Sequence, residues 1–205
     1  PSLATTLEVW DEQLVQVGTR LMNHRIRYLH RLNREANVLH KILSQGKENL
    51  SLYYQNNIID SLEDIKEIKR IFKEKLESSR EEEISRGSTI YGPHVDDIVI
   101  QINGKDARRY GSQGQQRSAA ISLKLSQIEI YFDNTGEYPV VLLDDIFSEL
   151  DENRRKSIIK LLNKTQAFIT CTEDLFSTDE IQENKHMIEI HQGQAREITP
   201  TKQEN

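Results

Sequence analysis

Two short stretches of this chain hold the residue types that chemistry needs. "YGSQGQQRS", residues 110–118, sets Ser112, Gln113, Gly114 and Gln115 where a helix would begin. Ser112 stands at an N-cap position with Gln115 three residues on, the spacing of a capping box. Gly114 brings no side chain to the first turn. Such a start aims free backbone N–H groups and the positive end of the helix dipole outward, which suits an anion. On spacing alone the signal is weak, because Ser-x-x-Gln opens many helices. The second stretch, "YPVVLLDDIFSELD" at 138–151, runs Val140 to Leu143 into Asp144 and Asp145. Adjacent carboxylates at the carboxyl end of a buried strand are costly unless they bind something, and Mg2+ with a phosphate is the common reason. The plainer use of Asp-Asp is a helix-capping loop.

The elements that must position these residues can be read from periodicity. Ile121, Leu125, Ile128 and Phe132 share one stripe of a helix over 113–132. "VVLL" after Pro139 has the unbroken apolar character of a strand covered on both faces. A helix over about Glu152–Leu162 and a second apolar strand, "AFITCT", come next, so strand, helix and strand imply a mostly parallel sheet with a right-handed crossover. Upstream, Ile98, Ile100 and Ile102 alternate before Asn103-Gly104, a two-residue hairpin signal. The return strand is expected near Asp106–Tyr110, leading straight into the first stretch.

Before Gly87 the pattern is helical. Leu7, Trp10, Leu14, Val17 and Leu21 step by three and four, as do Leu29, Leu32, Ala36, Leu39 and Leu43, with a register break between Leu21 and Leu29. Ile58, Leu62, Ile65, Ile68, Phe72 and Leu76 form a second run, and "SQGKENLSLYYQNN" reads as the linker between them. Two long antiparallel helices are expected, packed as a coiled coil or as a plain hairpin. Arg20, His24, Arg27, Arg31 and Arg34 fall on one face of the first, and from Gly18 to Leu43 Glu35 is the only acid against six Arg and Lys. Such a stripe could track a phosphate backbone. It could equally be a solvated face, or pair with the acidic side of the second helix (Glu63, Asp64, Glu67, Glu74).

Composition limits the functional classes. The 205 residues suffice for one large domain or two small ones, yet 36% hydrophobic against 29% charged suggests that part of the chain is elongated. A net charge of −6 argues against an all-over basic nucleic-acid binder but leaves room for a local basic patch. The single cysteine, Cys171, precludes an internal disulfide framework and fits a reducing cytosol. Neither a membrane-spanning apolar run nor a signal peptide is visible, so a cytoplasmic protein is expected.

Taken together the two stretches are more specific than either alone. A Ser-x-Gly-Gln helix start, a helix, four apolar residues with Asp-Asp, then Ser-x-Leu-Asp and a strand with a polar end resemble the ATP-binding-cassette ATPase head. The likeness is nearest to the RecF family of DNA replication and repair proteins, relatives of the SMC-like chromosome ATPases. It rests on "GPHVDD", "INGKDARRYGSQGQQRS", "SLKLSQIEIY", "GEYPVVLLDDIFSELDENRR" and "FITCT". It is specific from Gly92 to about Thr172 and only architectural before residue 87.

The resemblance implies an α/β fold: the C-terminal lobe of an ABC/SMC-like head, of the parallel-sheet P-loop NTPase type, with an antiparallel helical arm. Residues 1–87 would be the arm, 88–199 the head lobe and 200–205 a disordered tail. By resemblance, Ser112, Gln113, Gly114 and Gln115 match the signature motif, which contacts the γ-phosphate of ATP bound to a partner subunit. Asp144 matches the Walker B acid that holds Mg2+, and Asp145 the general base that activates water. Ser148, Glu149, Leu150 and Asp151 match a loop crossing the dimer interface. Thr172 occupies the switch position where many transporters have histidine, and Val95 stands where the family usually has a basic residue.

No G-x-x-x-x-G-K-[ST] phosphate loop occurs: Gly46-Lys47 is preceded by Lys41 and Gly104-Lys105 by Val99 at the first-glycine position. The chain is therefore expected to be the C-terminal part of a RecF-like protein, poorly active in ATP hydrolysis by itself. The implied whole binds single-stranded and gapped duplex DNA through ATP-driven homodimerisation, with RecR and RecO as partners, in gap repair and the SOS response. Two alternatives are an SMC-like structural head, for which an arm of about 80 residues is short at 1.5 Å per helical residue, and a non-enzymatic docking module with vestigial nucleotide motifs.

Overall fold

The computed structural model describes residues 3–59, 64–147, 150–172 and 186–198. The expected tail at 200–205 lies outside them. The chain divides into two compact units, Pro1–Ile130 and Tyr131–Asn205.

The first unit is organised around one long helix, α1 (Leu3–Leu43). Its buried face runs Val15, Met22, Ile26, Leu29, Leu32, Ala36, His40 and Leu43, in steps of three, four and seven without interruption. The expected register break is absent. Leu29, Leu32, Ala36 and Leu43 are buried as expected, but in the first half of the helix the expected face is not: Trp10 is 62% exposed and Val17 63%. The reason is Gly18. A Cβ there would lie 2.8 Å from the Phe72 ring, so the packing face carries a small residue where the hydrophobic pattern skips it. The second arm helix is shorter than expected: α2 (Ile65–Ser78) and α3 (Arg80–Arg86) meet at Ser79. Phe72 beside Gly18, and Arg80 paired with Asp11 at 2.6 Å, make α2 and α3 antiparallel to α1. Ile68, Phe72 and Leu76 of α2 close a core with Val15, Met22 and Ile26.

The expected linker holds a strand, β1 (Leu50–Gln55), which pairs antiparallel with β2 (Asp97–Ile102). Asn33 and Asn37 of α1 accept the Leu52 and Leu50 N–H groups through their side-chain oxygens at 2.8 and 3.0 Å, fixing strand to helix. The sheet therefore joins residues on both sides of Gly87, and the chain divides at Ile130 rather than at residue 87. The Asn103-Gly104 hairpin forms, with φ of 50° and 77° at the two residues, the mirror-image turn whose twist matches the strands. Its return strand β3 is only Lys105–Asp106; Ala107–Tyr110, expected as strand, is a single helical turn, α4, capped by the Asp106 carboxylate. Helix α5 (Gln113–Thr135) follows.

In the second unit β4 (Val141–Asp144) and β5 (Ala167–Thr170) pair in parallel, separated in sequence by α6 (Glu152–Leu162). This is the expected strand–helix–strand order. The strands are not covered on both faces by the described residues: Leu142 is 75% exposed and Phe168 57%. A further hairpin, β6 (Met187–His191) with β7 (Gln194–Ile198), turns at Gln192-Gly193 and was not expected.

Candidate functional site

The first group of candidate residues sits at the start of α5 and forms as its spacing predicts. Gln115 N–H donates to Ser112 Oγ at 3.2 Å, and Ser112 N–H donates to Gln115 Oε1 at 2.9 Å, which completes the capping box. Gln116 Nε2 donates to the carbonyls of Ala107 and Gly111 at 3.0 and 3.1 Å, pinning the preceding turn. The two glycines have different reasons. At Gly111 a Cβ would stand 2.5 Å from the Ala107 carbonyl oxygen, so the turn itself excludes any other residue. At Gly114 a Cβ would meet nothing within 4 Å, and its backbone is helical. Glycine inside a helix costs roughly 0.5–1 kcal/mol relative to alanine. Nothing in the described fold requires it there, and Ser112, Gln113 and Gly114 are all exposed.

The second group lies at the carboxyl end of β4. Thr170 Oγ1 donates to Asp144 Oδ1 at 2.5 Å and accepts the Asp145 N–H at 3.0 Å. One hydroxyl thus fastens both acidic residues to the end of the neighbouring strand. Asp145 has φ 48°, a left-handed conformation that Asp tolerates better than most residues but that still stores strain. Asp144 and Asp145 are both exposed. Among the described residues no three His, Cys, Asp or Glu cluster as a metal cage. A single exposed carboxylate does fit the habit of Mg2+, which keeps several waters and takes the rest of its shell from phosphate oxygens.

The remaining candidates are placed unevenly. Asp151 is the N-cap of α6: its Oδ1 accepts the Arg154 N–H at 3.0 Å and its Oδ2 lies 3.2 Å from Arg154 Nε. Leu150 is buried, and its carbonyl accepts from Arg155 Nε at 2.7 Å. Ser148 and Glu149 lie outside the described residues. Thr172 is exposed in a bend beyond β5. Thr170, two residues earlier, was not anticipated; its signal is cross-strand pairing with Asp144, which no local pattern carries.

The basic stripe occupies one face of α1. Arg20, His24, Arg27 and Arg34 are exposed and Arg31 is half-buried. Arg34 Nε pairs with Glu35 at 2.9 Å. The acids Glu67 and Glu74 pair with Arg70 of their own helix, so these two do not neutralise the stripe; Glu63 lies outside the described residues. At the other edge of the helix Arg25 donates to the Pro93 carbonyl and stands 3.6 Å from Asp96, whose carboxylate also accepts from the Tyr54 hydroxyl. Burial pushes the Asp96 carboxyl above the ordinary carboxylate range, against the opposing pull of Tyr54 and Arg25. Val95 is exposed beside this cluster.

The chain has the fold of the C-terminal lobe of an ATP-binding-cassette, SMC-like ATPase head, and the parallel strand pair, the carboxylate doublet at its carboxyl end and the capped helix start with an open first turn are the features it carries there. No protein-family model matches the chain. It is 48% identical over 180 residues to the DNA replication and repair protein RecF of Halothermothrix orenii, covering 86% of this chain and 48% of that protein. It is 42% identical over 171 residues to RecF of Lachnoclostridium phytofermentans, with coverage of 83% and 45%. A solved structure of the recombination mediator protein RecF with ATP, of the RecFOR pathway, superposes with a TM-score of 0.80 at 37% identity, covering 95% of this chain and 51% of that one. The chain belongs to the RecF family, matches its C-terminal portion, and spans about half the length of the curated relatives it resembles.

Proposed function

We propose that this chain is the signature- and carboxylate-bearing half of a RecF-like ATPase that binds single-stranded and gapped duplex DNA during replication and recombinational repair, in the cytoplasm and in support of the SOS response. The observation that carries the reading is Gly114: an exposed glycine in a first helical turn, with neither backbone nor packing reason for its missing side chain. An open turn of N–H groups at the start of a 23-residue helix suits close approach by a phosphate. In this reading Ser112, Gln113, Gly114 and Gln115 meet the γ-phosphate of ATP held by a partner subunit, so that nucleotide joins two heads. Asp144, through its carboxylate, would hold Mg2+, which when bound neutralises charge on the phosphate oxygens. Asp145 would take the proton from the attacking water, and hydrolysis would release the dimer. Leu150 and Asp151, with Ser148 and Glu149, would border the joined surfaces, and Thr172 would occupy the switch position. Arg20, Arg27, Arg31 and Arg34 would lie along the DNA backbone. RecO and RecR follow as proposed partners from the pathway named for the related structure.

The test is ATP-dependent association of this chain with a separately expressed lobe carrying the family's phosphate loop, for wild type and Gly114→Asp. An acid in the first turn favours the helix dipole by about 0.3–1 kcal/mol, so the variant should melt no lower than wild type. Its carboxylate would repel a phosphate, and ATP-dependent association should be lost. A variant that associates with ATP as wild type does would contradict the reading.

A further inference from the structure

The capping box at the start of α5 continues inward. Gln115 uses its side-chain oxygen on Ser112, and its Nε2 donates to Glu48 Oε1 at 2.8 Å. The other oxygen of Glu48 stands 3.0 Å from His40 Nε2. His40 is fully buried on α1, and its Nδ1 is 3.3 Å from Ser122 Oγ. The Ser122 hydroxyl donates to the Ser118 carbonyl at 2.7 Å, and the Ser118 hydroxyl donates to the Gly114 carbonyl at 2.8 Å. Because the Ser122 proton is spent on Ser118, its lone pair is what faces His40, and Nδ1 is the donor in that bond. The contacts close a ring from Gln115 through Glu48, His40, Ser122 and Ser118 back to Gly114, and Ser118 and Ser122 are fully buried.

Glu48 itself is held by the end of α1. Gln45 and Gly46 adopt left-handed φ of 55° and 76°, Gly46 N–H donates to the Lys41 carbonyl at 2.7 Å, and Glu48 N–H donates to Ser44 Oγ at 3.3 Å. The carboxylate is thus anchored to the helix that bears the basic stripe, while its head group grips Gln115. Two helices of the first unit meet at one acid, and a buried polar ring with all its members paired is stiff.

We infer that Glu48 is a positioning residue for the signature turn: through Gln115 it fixes the Ser112–Gln115 box, and so the aim of the turn's N–H groups, to the C-terminal end of α1. The inference rests on the reading of residues 112–115 as the phosphate-facing turn. It adds a partner from outside the motif and gives α1 a physical connection to it. Glu48→Ala removes both contacts. Glu48→Gln keeps both contacts with the second one reversed, its oxygen accepting from Gln115 and its amide donating to the Nε2 of a His40 that has given up the proton it holds toward the carboxylate; a positioning role therefore predicts rescue.

Amide hydrogen exchange on this chain reads the wiring directly. In Glu48→Ala the Ser112 and Gln115 amides should exchange about fivefold faster or more, the scale of one lost hydrogen bond, while the β1–β2 amides keep their rates. ATP-dependent association with the phosphate-loop lobe should weaken in parallel, and Glu48→Gln should restore both. If Glu48→Ala is insoluble, Glu48→Met keeps the side-chain length without either contact. Unchanged exchange at residues 112–115 overturns the inference. So does faster exchange with wild-type association, provided that Gly114→Asp abolishes association in the same assay. If Gly114→Asp also associates normally, the phosphate-facing reading has failed, and a positioning role for that turn falls with it.

Discussion

At the scale of single residues, the locally encoded part of the site was legible and the long-range part was not. The capping box depends on a spacing of three residues within one segment, and it forms as written. Thr170 and Glu48 act on residues 25 or more positions away, so a linear reading passes them by: Thr170 is chosen by strand pairing, Glu48 by the helix end that presents it. Asp96 carries a consequence of the same long-range kind. Its carboxyl is raised chiefly by burial, so folding favours its protonated form. That stabilising contribution is complete below the ordinary carboxylate value of about 4 and is lost as pH rises through the elevated one. Asp96→Asn keeps an acceptor for the Tyr54 hydroxyl without the charge. Its melting temperature relative to wild type should therefore climb as pH is raised from about 4 toward neutrality. Parallel melting curves for the two proteins across that range would refute the assignment.

At the scale of elements, helix existence, the hairpin turn and the buried face of α1 from Leu29 to Leu43 are legible in the sequence, but the buried face of its first half and strand β1 are not. Two apolar faces run along α1, and hydrophobicity alone favours the one with Trp10, Val17 and Leu21. Packing favours the other, because Gly18 lets the helix approach Phe72 closely. Strand β1 hid among turn residues, although Leu50, Leu52 and Tyr54 alternate as a half-buried strand should. The close approach is testable. Gly18→Ala gains up to about 1 kcal/mol of helix propensity, but its Cβ collides with a fully buried ring, and overpacking of this kind costs about 1–3 kcal/mol. The variant should unfold at lower denaturant concentration than wild type by chemical melting. A higher midpoint would show that Phe72 can move aside and that the small residue is not what sets the packing. The apolar run into Asp144 is the parallel strand that its sequence predicts, but its exposed Leu142 and its pairing partner Phe168 show that described residues of this chain leave one face open.

At the scale of the whole molecule, the chain carries its two sets of candidate residues in two units, and the net charge of −6 conceals a local basic face on α1. If that face follows a phosphate backbone, Arg27→Glu with Arg31→Glu should weaken DNA binding and flatten its salt dependence, since each released phosphate contact removes about 0.9 from the log–log slope. An unchanged slope would assign the stripe to solvent. The family was recognisable because its motifs are short and local; the division of the chain was not, because sheet pairing between β1 and β2 crosses the point where the composition changes. The central claim, that Asp145 acts as the base of a split ATPase, is tested most directly by ATP turnover after mixing this chain with the phosphate-loop lobe, for wild type and Asp145→Asn. Asn tolerates the left-handed backbone as Asp does, so the variant keeps the turn and loses only the carboxylate. DNA-stimulated hydrolysis that appears on mixing and falls roughly 100-fold or more in the variant is the predicted result. Equal turnover by both proteins, or none by either once the complex has formed, would contradict it.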